Sequence, residues 1–328
     1  MSRVVPGPTG GKSASATDRE AALAEVAYLY YKEHRDQKEI AARLRVSRST
    51  VSRMLTAAEQ QGIVEIRIRG GLPHAMELQR RFADALGLRD AVVLDTHGFT
   101  EDMPARVGRL GAHYLDACLA EGDLLAVSCG RGVRSVVDAF QPRQRQHVEV
   151  VQLLGGTGAT DVDVDGVGLA HRLGDLLGAR VSLLNAPLVV AREELAAELR
   201  QYRSIKRTLE IAGHADVALV GIGATEADVS SLLRAGYVDE RGLAELVATG
   251  AVGDVCGHHF TIAGKLLDVE LNRRIIAVSA EALRSMPRVI GVACGPSKVK
   301  AILGAARAGV VNVVVTDDAT ADLVLAQV

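Results

Sequence analysis

The chain has no apolar run of about 18 residues, which excludes a membrane-spanning helix. Its start, MSRVVPGPTGGKSASAT, has little charge and no apolar stretch, so no secretory signal is expected and residues 1–17 read as a flexible tail. The four cysteines (Cys118, Cys129, Cys256, Cys294) show neither CxxC spacing nor a small-domain disulfide framework, which fits a reducing cytoplasm. There is no repeat of fixed period, and no low-complexity run beyond the tail. Nor is there an excess of one charge: the formal net charge is −2, which argues against a uniformly basic nucleic-acid binder. With 48% hydrophobic and 24% charged residues, the sequence is that of a folded chain, long enough for two domains.

Charge is distributed unevenly. Residues 1–70 hold 12 Lys and Arg against 8 Asp and Glu, leaving 26 against 32 for the remainder. A basic head on an acidic body fits DNA binding confined to one end.

The segment from Asp36 to Arg69 reads as a helix-turn-helix followed by a β-wing. Asp36 and Glu39 have the spacing of a capping box, ahead of a short helix with Ile40, Ala41 and Leu44 on its apolar face. Val46 is expected to plug the turn. Ser47 then caps a second helix with Val51, Met54, Leu55 and Ala58 at helical period, and Gly62 ends it. The polar start of that helix (Ser47, Arg48, Ser49, Thr50, Ser52, Arg53), with Gln37 from the first helix, suits a DNA groove, where Arg pairs with guanine and Ser or Thr meets bases or phosphates. Ile63 to Ile68 alternates apolar and polar residues, as a wing strand would. Leu23, Val26, Ala27, Tyr30 and Tyr31 form one face of a supporting helix opened by Thr17 or Asp18. Gly70, Gly71 and Pro73 mark the linker, giving a DNA-binding domain over 18–70 and a second domain over 71–328. Within the tail, GPTGGKS (Gly7 to Ser13) resembles a phosphate-binding P-loop. Its first glycine is one residue too close and no strand precedes it, so no nucleotide site is expected.

After a helix from about His74 to Leu86, strands and helices alternate. Strands are expected at 91–94, 124–128, 148–154, 180–184, 216–221, 275–278, 289–293 and 311–316. Helices are expected at 103–119, 133–140, 167–177, 204–212, 243–249 and 296–307. Near-continuous apolar strands between amphipathic helices predict an α/β fold with a mainly parallel sheet covered on both faces. In such sheets ligands bind at the carboxyl ends of the strands, where this sequence concentrates glycine turns. These are Ser128-Cys129-Gly130-Arg131-Gly132, Gly155-Gly156-Thr157-Gly158, Gly221-Ile222-Gly223, Gly250 to Asp254, and Cys294-Gly295-Pro296-Ser297-Lys298. Glycine amides approach an anion closely, and Arg131 and Lys298 add cations, so the turns predict a phosphate pocket, with Asp254 as a ligand for sugar hydroxyls or a helix cap.

Cys129, Cys256 and Cys294 are each followed by glycine, and His258 and His259 lie near one of them. That raises a metal or redox sensor as a hypothesis, against the plainer reading of small residues in tight turns. No ligand spacing is present, so no metal and no cofactor are expected. An enzyme of sugar-phosphate isomerase or CoA-transferase type carrying a DNA-binding head is the alternative function. It would need a carboxylate base, for which Asp254 and Glu226 are the acids near the glycine turns.

The head YYKEHRDQKEIAARLRVSRSTVSRMLTAAEQQGIVEIRI, followed by DLLAVSCGRGV, VVQLLGG, ADVALVGIGA, GAVGDVCGHHF and RVIGVACGPSKVKAIL, resembles the SorC (SorC/DeoR-like) bacterial transcriptional regulators. The resemblance covers roughly residues 18 to 326 in the right order. It implies a winged helix-turn-helix on a Rossmann-like effector domain similar to sugar-phosphate isomerase and CoA-transferase folds. It also implies double-stranded operator DNA and a phosphorylated sugar as partners, with assembly into dimers or tetramers and control of carbohydrate operons. The effector residues so expected are Ser128, Gly130, Arg131, Gly132, Gly155, Gly156, Thr157, Gly223, Asp254, Gly295 and Lys298. This chain departs from the family in carrying Ser128-Cys129-Gly130-Arg131-Gly132 where Ser-Trp-Gly-Arg-Thr is common, Cys294-Gly295 in place of Gly-Gly, and His258 in place of an Arg. Members that form a Schiff base with a deoxyribose phosphate have a Lys at the place of Leu154, so covalent capture through that position is not expected.

Overall fold

The computed structural model describes residues 16–33, 35–64, 73–98, 101–142, 147–158 and 165–328. The chain divides into two compact units, residues 1–70 and 71–328. The GPTGGKS tail, the wing beyond Val64 and the Gly70-Gly71 linker lie outside the described residues.

Among the described residues the first unit has three helices: α1 (Ala16–Tyr31), α2 (Gln37–Leu44) and α3 (Arg48–Gln60). Asp36 has extended backbone and accepts the N–H groups of Lys38 and Glu39 at 2.8 Å each, while its own N–H donates to Glu39 at 3.2 Å. Both arms of the capping box are therefore made. Val26, Leu29, Ile40, Ala41, Val51 and Leu55 pack into one buried cluster, and Leu23, Ala27 and Ala58 into another with Ile63 and Val64 beside them. Val46 does not plug the turn as expected. Arg45 takes the left-handed conformation that ends α2, and Val46 emerges from that turn 38% exposed, leaving the core to the helical positions. Past α3, Gly62 at φ +70° folds the chain back so that Ile63 and Val64 donate to the Ala58 carbonyl at 2.9 and 3.1 Å.

The second unit begins with α4 (Pro73–Leu86), and its main sheet draws on β1 (Asp90–Leu94), β2 (Leu124–Val127), β3 (Glu149–Gln152), β4 (Arg180–Ser182) and β5 (Val217–Gly221). A small second sheet is formed by β6 (Gly223–Ala224), β7 (Ala251–Val255) and β8 (His258–Thr261), after which β9 (Arg288–Val292) and β10 (Val313–Asp317) complete the main one. The main sheet has the order β1-β10-β9-β5-β2-β3-β4, and every pairing in it is parallel. Alternate strand residues enter opposite cores. Ala126, Val151, Ala218, Val220 and Val314 face one, and Leu125, Val127, Val150, Leu219 and Val315 the other, which is why the strands read as unbroken aliphatic runs. The second of these cores is covered by α5 (Met103–Cys118), α6 (Arg131–Ala139) and α7 (Gly166–Leu177). The first is covered by α4, α9 (Arg203–Ala212) and α14 (Val299–Ala308), among others; α8 (Glu193–Gln201) precedes α9, and α10 (Ser231–Arg234), α11 (Glu240–Ala248), α12 (Glu270–Arg273) and α13 (Ala280–Ser285) lie between α9 and α14 in the chain.

Two expected elements differ. Residues 275–278 are not a sheet strand: Ile276 and Val278 donate to the carbonyls of Leu188 and Leu153, forming isolated bridges in a connecting segment. Residues 250–254 are not a strand-to-helix turn. Ala251 to Asp254 belong to β7, antiparallel to β6 and β8, and only Gly250, at φ +89°, keeps a turn conformation. β7 and β8 are joined by a two-residue turn, Cys256 at φ +50° and Gly257 at φ +79°, the mirror-image hairpin geometry that matches strand twist.

Candidate functional site

The order of the main sheet places the site. From β2 the chain moves outward through β3 to β4, and then returns to the other side of β2 with β5. The connections after β2 and β5 therefore diverge, opening a crevice beyond the carboxyl ends of the strands. A cavity of about 290 Å³ occupies this switch point.

Each wall comes from a different element. Ser128 to Gly132 follow β2, Leu154 and Thr157 follow β3, Gly221 ends β5 with Ile222 and Gly223 after it, and Cys294 and Lys298 follow β9. Asp254, Cys256 and Gly257 are brought in by the hairpin, and Leu232, Arg234 and Tyr237 by the short helix α10 (Ser231–Arg234) and its exit. Of the sequence-predicted effector residues, Ser128, Gly130, Arg131, Gly132, Thr157, Gly223, Asp254 and Lys298 meet here. Gly155, Gly156 and Gly295 do not line the cavity. A Cβ on Gly155 would lie 2.5 Å from the Pro187 carbonyl, so that glycine serves close packing. The Gly156 amide donates to Ala186, and the Gly295 amide to Thr320 Oγ1 at 2.8 Å, so neither is free for a ligand.

The charges do not balance. Arg131 and Arg234 are exposed and Lys298 is half-buried; Arg131 lies close enough to depress both of the others, and Arg234 to depress Lys298. Burial is the main cause that holds Lys298 below its ordinary 10.5, with Asp254 pulling the other way and the two guanidiniums adding to the depression. Lys298 Nζ donates to the Ile222 carbonyl at 2.8 Å. Asp254 is the only carboxylate among the described lining residues, and one of its oxygens accepts the Gly257 N–H at 3.0 Å. Glu226, the second acid considered for an enzyme, is not among them. α6 starts at Gly130 with no side-chain cap, leaving first-turn amides on the cavity wall. Gly132 lets that helix approach β9: an added Cβ would lie 2.9 Å from the Val292 carbonyl.

Sequence reading missed Arg234 and Tyr237. Tyr237 donates its hydroxyl to the Thr157 carbonyl, and Thr157 is held in turn by Asp165 through its N–H and hydroxyl. The one local signal was Ser230, which caps the four-residue α10. The three cysteines that line the cavity favour the protonated thiol. Burial pushes Cys129 up to about 12 and Cys294 to about 11, and raises Cys256 well above the ordinary value. No group of three His, Cys, Asp or Glu able to hold a metal occurs among the described residues.

In the first unit, Ser47, Arg48, Ser49, Ser52 and Arg53 are exposed, and Gln37 and Thr50 are partly so. Ser47 Oγ accepts the Thr50 N–H at 3.1 Å and lies 2.8 Å from the hydroxyls of Ser49 and Thr50. It therefore starts α3 and gathers three hydroxyls at its amino end. Arg53 reaches back to the Ser49 carbonyl at 3.4 Å, whereas Arg48 extends from the first helical turn.

Residues 72–326 match the family model described as "Putative sugar-binding domain". The chain is 33% identical over 302 residues to the deoxyribonucleoside regulator of Bacillus subtilis, covering 90% of this chain and 95% of that one. It is 30% identical over 306 residues to the sorbitol operon regulator of Klebsiella pneumoniae, covering 92% and 97%. The crystal structure of the full-length sorbitol operon regulator SorC from Klebsiella pneumoniae superposes with a TM-score of 0.82 at 29% identity, covering 95% of this chain and all of that one.

Proposed function

The chain belongs to the sugar-binding-domain family of transcriptional regulators, and we propose that its second unit takes a phosphorylated sugar in the switch-point cavity while α3 reads operator DNA. It is a sugar-responsive regulator of transcription rather than an enzyme, as are the relatives it matches along nearly their whole length. The observation that carries the phosphate assignment is the gathering of Arg131, Arg234 and Lys298, with Asp254 the one carboxylate among the described lining residues. Three cationic side chains against one carboxylate among the described lining residues, beside uncapped helix amides, favour an anion with more than one charge.

On this reading residues 18–70 are a helix-turn-helix domain and residues 71–328 bind effector and assemble the protein. One recognition helix contacts too few base pairs to select an operator, so the working form is a dimer or tetramer with paired heads. Among the described residues no helix is long and apolar enough to cross a membrane.

A thermal-shift panel tests the assignment. Phosphorylated pentoses and hexoses should raise the melting temperature, their unphosphorylated forms should not, and Lys298→Ala should remove most of the shift. Equal shifts from free and phosphorylated sugars would overturn it.

A further inference from the structure

Charge on the second unit is segregated at one elbow. α8 and α9 are joined by the single residue Tyr202, whose backbone is extended and whose side chain, 66% exposed, is the most exposed large apolar group among the described residues. Inward, Ala196 and Ile205 are buried in a cluster with Leu184, Val190 and Ile276, and Arg200 donates to the carbonyls of Arg273 and Ile275 at 2.8 and 2.7 Å. The elbow is thus fixed to the body from below. Outward, Glu194 and Glu198 are exposed on α8, and Arg203, Lys206 and Arg207 on α9. None of these five makes an ion pair with another described residue, whereas Glu193, the remaining acid of α8, is taken by Arg273.

Within the chain this arrangement gains nothing. Glu194 and Glu198, like Arg203 and Arg207, are equal charges four residues apart, a spacing that weakens a helix. The cations of α9 also sit in its first turns, where the helix dipole disfavours positive charge. Exposed charges on other helices are paired at the same spacing instead: Arg134 with Asp138, Arg241 with Glu245 and Arg274 with Glu270. A polyanion such as DNA would meet the cations of the elbow but also the two carboxylates beside them. A surface that carries opposite charges in separate halves complements itself when turned about a two-fold axis. The aromatic residue between the halves is of the type that anchors interfaces.

We propose that the outer face of the α8–α9 elbow is a two-fold contact between the second units of two copies of this chain. Glu194 and Glu198 of each copy face Arg203, Lys206 and Arg207 of the other, and the two Tyr202 rings pack near the axis. This rests on the assembly inferred above and gives that assembly one of its contacts. The face is small beside the roughly 20–30 residues a side of a stable interface, so the contact is reversible and weakens with salt.

Analytical ultracentrifugation of the full chain tests it. Raising salt from about 50 to 500 mM should lower the mean size of the assembly. Two doubly reversed variants, Arg203→Glu with Arg207→Glu and Glu194→Lys with Glu198→Lys, should each raise the dissociation constant of one assembly step about a hundredfold. An equal mixture of the two should regain that step, because each reversed half then meets its opposite. All four positions are exposed, so circular dichroism and melting temperature should match wild type. Should a reversal fail to fold, Tyr202→Ala serves in its place, with assembly about tenfold weaker. Variants that assemble as wild type does, or a mixture that regains nothing, overturn the elbow contact and leave assembly through another face standing. A wild-type chain that stays monomeric at every concentration overturns both. Unchanged assembly with weakened operator binding assigns the cations to DNA and likewise overturns the pairing.

Discussion

Four thiols in a regulator invite a redox reading, and their surroundings predict slow reaction instead. A thiol reacts as its thiolate, and burial raises Cys118 and Cys294 to about 11 and Cys129 to about 12, against an ordinary 9.0. At pH 8 this lowers the thiolate fraction by about a hundredfold or more relative to the unfolded chain. Alkylation of native protein should therefore be slower by at least that factor than after denaturation, as mass spectrometry would record. Rapid native labelling of Cys129 would restore the sensor. Because the folded values lie above the unfolded ones, the stability these thiols contribute is fully present below about pH 9 and is lost as the pH climbs through 11 to 12.

At the scale of elements, the β7–β8 hairpin joins packing to the site. Its turn needs positive φ at both Cys256 and Gly257, and the Gly257 amide is the donor that fixes Asp254. Gly257→Ala puts a Cβ at φ +79°, 2.4 Å from Ile275 Cδ1. We expect a loss of about 1–2 kcal/mol in stability, read by denaturant unfolding, and weaker effector binding in the variant that remains folded. Unchanged affinity would mean that the hairpin does not position Asp254. This hairpin is also where the sequence was least legible. Gly253 is required because a Cβ there would lie 2.4 Å from the Gly223 carbonyl and 2.7 Å from Ala301 Cβ, so close packing of α14 on β7 gives a strand the glycine content of a turn. Conversely, Ile275 to Val278 has the apolar character of a strand but is buried as a connection. Strands β1, β2, β3, β5, β9 and β10 were legible because both of their faces are buried, as were the capping box at Asp36 and the turn after β2. Arg234 was not, since nothing local distinguishes a cation on a four-residue helix from a solvated one until tertiary contacts bring it to Arg131 and Lys298.

For the whole molecule, regulation requires that effector and operator affinities be linked, and linkage is reciprocal. If the sugar phosphate changes operator affinity by some factor, saturating operator must change sugar-phosphate affinity by the same factor. The two can be measured separately, by fluorescence anisotropy on labelled operator and by calorimetry on the protein–DNA complex. Arg48→Ala and Arg53→Ala provide the control, because both residues are exposed on α3 and absent from the cavity. Each should weaken operator binding, reduce its salt dependence by about one unit of log–log slope if the lost contact is to phosphate, and leave effector affinity of the DNA-free protein unchanged. A base contact would instead relax sequence preference at one position, at a cost of about 1–3 kcal/mol. Unequal coupling factors at equilibrium would show that the two ligands do not act on the same pair of states. Equal factors that vanish with Lys298→Ala would tie the switch to the cation cluster, where a phosphate would offset the like charges of Arg131, Arg234 and Lys298.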